Sequence, residues 1–111
     1  MTKAEKVRGH LDGLLLGVLS AGPAHGYALI AELRDRSGGE FDLPEGTVYP
    51  ALHRLEHAGL VSSDWAPGLK RRRRIYSLTP DGRRELSAQR RTWASFAGAV
   101  SSVLGVAEAR A

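Results

Sequence analysis

The sequence contains no cysteine, which excludes a disulfide framework and any thiolate metal site. Aromatic residues make up only 6% of the chain, so each one is worth placing individually. No apolar run approaches the roughly 20 residues that a membrane-spanning helix needs. The N-terminal stretch MTKAEKVRGH is charged and lacks the apolar core of a secretion signal. A cytoplasmic location with no membrane partner is therefore expected. Catalytic groupings are missing as well. There is no paired-carboxylate arrangement suited to a cleft, no phosphate-cradling glycine loop and no metal motif with an open position. Neither enzymatic activity nor a cofactor is expected.

What the chain does have is positive charge, unevenly placed. Its 111 residues carry a formal net charge of +4, and the length suits one small domain with a modest core. Residues 70–91 hold Lys70, Arg71, Arg72, Arg73, Arg74, Arg83, Arg84, Arg90 and Arg91 against only Asp81 and Glu85, so this segment is +7 and the remainder −3. A patch of one sign on an otherwise slightly acidic chain is an electrostatic footprint for a polyanion. The plainer reading of an arginine run is a solvated face, and thirteen arginines to three lysines is partly compositional bias.

Periodicity sets out the elements. Residues 1–8 read as a polar arm or a helical extension. Over 10–20, Leu11, Leu14, Leu15, Val18 and Leu19 make a core-facing helical stripe. Gly13 and Gly17, one turn apart, cost helix propensity and point to the close approach of another helix. Ala21-Gly22-Pro23 ends the element. His25-Gly26-Tyr27 opens a second helix, which runs to about Ser37 and buries Leu29, Ile30 and Leu33. Gly38-Gly39 stops it, and Phe41 reads as a hydrophobic plug in the loop that follows.

A third helix spans about 44–58. Val48, Leu52 and Leu55, with Ala51, share its apolar face, while Thr47, Pro50, His53, Arg54 and His57 share the other and Tyr49 lies on the flank. Pro50 leaves its start open. A helix from Pro44 loses one internal hydrogen bond at Pro50 and kinks, whereas a cap near Gly46 or Thr47 puts Pro50 harmlessly in the first turn. Gly59 stops the helix. Residues 60–65 then read as a strand, Pro67-Gly68 as a turn, and Arg72 to Leu78 as a returning strand. Alternation places Arg72, Arg74 and Tyr76 on one strand face and Arg73, Ile75 and Ser77 on the other. A helix with one polar face beside a cationic hairpin suits reading a DNA groove and gripping its flanking phosphates. The fold class that follows is mainly α with a small β-hairpin wing, a winged helix-turn-helix.

The last helix opens at Thr79-Pro80-Asp81, an N-cap, a helix-compatible proline and an acidic first turn. It extends to about Ala107, on the order of 40 Å. Trp93, Phe96, Val100, Val103 and Ala107 recur in steps of three and four, the rhythm of a helix–helix seam. With Leu86 and Leu104, these residues predict a homodimer interface. The alternative is an intrachain core helix packed on the first helix.

The stretches GTVYPALHRLEHAGLV, SSDW and RRRRIYSLTPDG resemble the PadR family of bacterial transcriptional regulators, whose members carry G-T-L-Y-P-A-L-H-R-L-E-x-x-G-L-I, an arginine-bearing wing and Y-x-L-T-x-x-G. The likeness continues upstream through LDGLLLGVLSAGPAHGYALIAEL and covers roughly nine tenths of the chain. It departs at Val48, where leucine is commoner, and at Ile75, where an aromatic is usual. The resemblance implies a homodimeric repressor on a pseudo-palindromic operator in double-stranded DNA. Residues 1–78 would form the DNA-binding domain (recognition helix about 44–58, wing about 60–78) and 79–111 the dimerisation helix. It carries Thr47 and Tyr49 over as backbone or thymine-methyl contacts. In a subgroup of small family members, a tryptophan at the position of Trp93 lines a pocket across the dimer interface, where flat aromatic, drug-like molecules stack.

The DNA-binding set is then Thr47, Tyr49, Pro50, His53 and Arg54 on the helix, with Lys70, Arg71, Arg72 and Arg73 on the wing. Arg54 suits either a guanine edge or a phosphate. Tyr49 alternatively packs against the second helix with only its hydroxyl exposed. Trp93 and Phe96 either hold an aromatic effector or simply fill the seam. His53 and His57, one turn apart, have a chelating spacing without a third ligand, so no metal is expected. The rival function is a winged-helix module that docks on a protein; five consecutive cations in the wing argue against it.

Overall fold

The leucine spacing of the first segment creates the centre of the fold. In the computed structural model, which describes residues 9–68 and 73–106, Leu11–Leu19 forms helix α1. Leu15, Leu16 and Leu19 of this helix are fully buried. Around them pack α2 (Gly26–Arg36) and α3 (Glu45–His57). The core that results joins Leu29 and Leu33 of α2 to Val48, Ala51, Leu52 and Leu55 of α3. Phe41 packs against this core as the loop plug it was expected to be.

Caps explain where the helices start. His25 has extended backbone, and its Nδ1 accepts a hydrogen bond from the Ala28 N–H at 3.3 Å. Pro44 is the N-cap of α3 rather than a first-turn residue, and Pro50 lies inside the helix. The open question at this helix thus resolves toward the longer form, at the cost of one internal hydrogen bond. Gly59, at φ +79°, provides the left-handed stop.

A strand follows at once, because the Leu60 N–H donates to the Leu55 carbonyl at 3.0 Å. β2 (Val61–Trp65) pairs antiparallel with β3 (Arg74–Leu78), placing Val61 opposite Leu78, Ser63 opposite Tyr76 and Trp65 opposite Arg74. A two-residue strand, β1 (Ala24–His25), adds to the other edge of β3. The sheet therefore has three strands in the order β1-β3-β2. This is one more than the expected hairpin, since two residues carry no periodic pattern to read. β3 begins at Arg74. Arg72, expected at its start, lies outside the described residues, as do Lys70, Arg71, the arm 1–8 and Ala107.

Helix α4 (Pro80–Leu104) is docked at its base by Thr79, whose Oγ1 accepts from the Gly82 N–H at 3.0 Å and donates to the Gly59 carbonyl at 2.7 Å. Gly82 is buried against the Leu60 carbonyl, leaving no room for a Cβ. The first turns then cross α1. Gln89 packs over Gly13, which is the close approach expected there, whereas a Cβ on Gly17 would meet nothing. Gly17 instead opens into a cleft of about 580 Å³ between α1, α2 and α4, with Leu14, Phe41, Leu86 and Trp93 among its walls.

Leu86 corrects the expected dimer seam. It is 5% exposed and belongs to the chain's own core, because α4 still lies against α1 at that height. Beyond it the helix leaves the core, and Trp93, Phe96, Val100, Val103 and Leu104 are all exposed. The helix ends at Gly105, φ +74°. No helix among the described residues is long and apolar enough to cross a membrane.

Candidate nucleic-acid interface

The apolar face of α3 buries Val48, Ala51, Leu52 and Leu55, and this fixes what the opposite face presents. Pro50, His53 and Arg54 are exposed, and Thr47 is half-buried. The first turn carries Glu45.

Tyr49 is half-buried and packs against the core. Its ring lies over Gly26 at the start of α2, where a Cβ would overlap the phenol. Tyr27 meets it edge-on, with ring centroids 6.5 Å apart. Burial raises the Tyr49 hydroxyl above its ordinary pKa; the Glu45 carboxylate adds to this and the Arg73 charge opposes it. Arg73 itself is exposed.

Arg54 is engaged within the chain. Its Nη2 donates to Asp12 Oδ1 of α1 at 2.5 Å, with both side chains substantially exposed. The helical pattern assigned Arg54 to the outward face, as observed, but gave no sign of its partner across the fold.

The base of the wing contains a group of contacts absent from the sequence expectations. Ser63 Oγ of β2 donates to Glu56 Oε2 of α3 at 2.5 Å and accepts from Arg74 Nε of β3 at 2.8 Å. Arg74 Nη2 stands 4.0 Å from the same Glu56 oxygen. The guanidinium carbon lies 4.7 Å from the centre of the Trp65 ring. Beneath them Tyr76 is buried, and its hydroxyl is pushed above its ordinary pKa by burial, then by Glu56 and Tyr49, with Arg74 opposing. Strand alternation on both arms of the hairpin was the available signal for Trp65 facing Arg74.

A second surface lies on α4. Trp93 and Phe96 have ring centroids 5.9 Å apart, and His10 meets Trp93 edge-on at 5.2 Å. Trp93 therefore lines the cleft with His10 and Phe96 as its ring neighbours, and remains exposed. His53 and His57 gather no further ligand, for no group of three or more His, Cys, Asp or Glu among the described residues is arranged to hold a metal.

Comparison with known proteins places this arrangement among related ones. The model of the transcriptional regulator PadR-like family matches residues 15–88. A transcriptional regulator of Mycobacterium tuberculosis is 45% identical over 67 residues, which is 60% of either chain. A solved PadR family transcriptional regulator from Eggerthella lenta has a TM-score of 0.79 and 35% identity, covering 90% of this chain and 86% of its own. Bacillus subtilis PadR, solved in complex with operator DNA, has a TM-score of 0.66 and 26% identity, covering 72% of this chain and 46% of its own.

Proposed function

Because the chain belongs to the PadR-like family of transcriptional regulators, we propose that it is a homodimeric repressor of a pseudo-palindromic operator. Residues 1–78 read DNA and 79–111 form the dimerisation helix. Each α3 enters a major groove by its N-terminal end, with Thr47, Tyr49, Pro50 and His53 toward the bases and sugar-phosphate edge. Arg54 exchanges Asp12 for phosphate or a guanine edge as the duplex arrives. Lys70, Arg71, Arg72 and Arg73 grip the flanking backbone. The observation that carries this reading is the exposed face of α3, with Pro50, His53 and Arg54, joined through Glu56 and Ser63 to the hairpin that bears the exposed Arg73. Support comes also from the solved Bacillus subtilis relative in complex with operator DNA.

Dimerisation uses Trp93, Phe96, Val100, Val103 and Leu104, an exposed apolar stripe on a helix that has left the core. An aromatic effector seated at Trp93 and Phe96 would re-angle the two α4 helices and so change the separation of the recognition helices. It releases DNA only by binding one dimer geometry more tightly than the other.

Enrichment of sheared genomic DNA by the purified protein, followed by anisotropy titration at several salt concentrations, tests the reading. The expected result is an inverted-repeat fragment whose affinity falls steeply with salt, by about a thousandfold between roughly 50 and 200 mM for some six phosphate contacts. Tyr49→Ala and Arg73→Ala should each weaken it. No enrichment over random duplex at low salt would refute DNA reading and leave a protein-docking winged helix in its place.

A further inference from the structure

Arg73 and Arg74 are neighbours at the end of the basic run, yet the fold treats them differently. Arg73 is exposed, whereas Arg74 is half-buried and has three partners drawn from two other elements. We propose that Arg74 is a positioning residue, clamping the wing to the recognition helix through Glu56, Ser63 and Trp65, and is not itself a phosphate contact. The proposal rests on the DNA-reading function above.

The contacts engage the guanidinium on three sides: one of its five N–H donors is hydrogen-bonded, one end approaches a carboxylate and its flat face is covered. Arg74 Nε donates to Ser63 Oγ, Nη2 faces the Glu56 carboxylate, and the flat face lies over Trp65. Its charge is thereby balanced inside the chain. Turning outward to a phosphate would strip Glu56 of its cation and Ser63 of its donor, and both are half-buried. Contacts already made would thus be given up for the new one. A lysine offers neither the planar fork nor the stacking face, so it is not an equivalent.

The position of the clamp gives it leverage. Glu56 stands near the end of α3, while Trp65 and Arg74 pair opposite one another at the ends of β2 and β3, from which the wing tip springs. Ser63 bridges the two sides. One hydrogen-bonded unit thus sets the angle between the recognition helix and the arginine-bearing tip. That angle decides which phosphates the tip meets while the helix occupies the groove.

The chain has two tryptophans, so a Trp93→Phe background leaves Trp65 as the only tryptophan, excited selectively beyond the tyrosine absorption. Glu56→Gln, Arg74→Gln, Arg74→Lys and the Glu56→Gln/Arg74→Gln double variant would be compared, for emission in that background and for DNA binding in the chain that keeps Trp93, which belongs to the proposed dimer stripe. The first readout is Trp65 emission without DNA. The second is anisotropy with the duplex enriched from genomic DNA, or with a labelled random-sequence duplex if none is enriched. Both single Gln variants should shift Trp65 emission alike. Each should weaken binding about tenfold, with the double variant no weaker than either alone. Arg74→Lys should fail to restore it.

A phosphate contact gives the opposite pattern. Glu56→Gln would tighten binding by removing an acid, and Arg74→Gln would cost the same in both backgrounds; either result overturns the proposal. So would Trp65 emission that ignores Glu56→Gln. If the parent chain binds no duplex, the DNA-reading function fails, while the emission data still decide whether the clamp exists. Should Glu56→Gln not fold, as judged by circular dichroism, Ser63→Ala replaces it. This variant removes the bridge but keeps both charges, and a loss of about threefold is expected for part of the same coupling; unchanged binding and emission would count against the clamp.

Discussion

Tyr49 of α3 rests directly on Gly26, with no space between them for a single methyl group. The first residue of α2 is therefore a seat for the phenol ring, hydroxyl end included. Gly26→Ala should cost about 1–3 kcal/mol, the usual penalty for overpacking. In a Tyr49→Ala background the same change should cost almost nothing. Urea denaturation of the four-member cycle measures the coupling, and additive losses would mean that the ring can move aside.

The two glycines of α1 should behave differently although they lie one turn apart. Gly17→Ala meets open space and should raise stability by roughly 0.5–1 kcal/mol through helix propensity. Gly13→Ala must displace the Gln89 amide, which also donates to Glu85 at 3.2 Å, and should gain less. Thermal unfolding of the pair checks this; equal gains would show that Gln89 rearranges freely.

Leu86 and Val103 separate folding from assembly. Leu86, buried in the chain's own core, should lose about 2–5 kcal/mol on replacement by alanine. Val103 is 86% exposed, and Val103→Asp should leave helix content intact while dissociating the proposed dimer. Sedimentation velocity reads the second effect. A Val103→Asp protein that stays dimeric would move the interface off this stripe.

Alkali should weaken the fold through Tyr76. Its hydroxyl is held above the ordinary value of 10.0, so the folded chain retains a proton that the unfolded chain has begun to release. Stability from this group is intact below that value and declines as pH rises through the folded one. Urea midpoints measured across the alkaline range should fall less steeply in Tyr76→Phe than in the parent. Parallel slopes would assign the decline to another group.

Asp12→Asn should release Arg54 from its partner on α1. An exposed pair contributes only about 0–1 kcal/mol to stability, so unfolding should barely change. DNA affinity should rise, and Arg54→Ala should abolish the gain. A gain that survives in Arg54→Ala would mean that Asp12 repels the duplex directly.

Local chemistry made most of the architecture readable from residue order alone. The leucine stripe of 11–19, the glycine stop at 59, the Thr79-Pro80-Asp81 start and the alternation around Tyr76 all act over a few residues, and each element formed within a residue or two of where these signals put it. Motif spacing from Leu11 to Gly82 likewise sufficed for the family. Tertiary packing alone decided the rest. It buried Leu86 and exposed Phe96 on one helix, because α4 passes α1 and then runs beyond the core. It stabilised β1, two residues that need the finished edge of β3 before they can pair. It joined Arg54 to Asp12 across 42 residues, and it turned Arg74 inward while Arg73 stayed exposed. Charge and periodicity show that a side chain is cationic and which face it occupies; its partner depends on what the fold brings alongside that face.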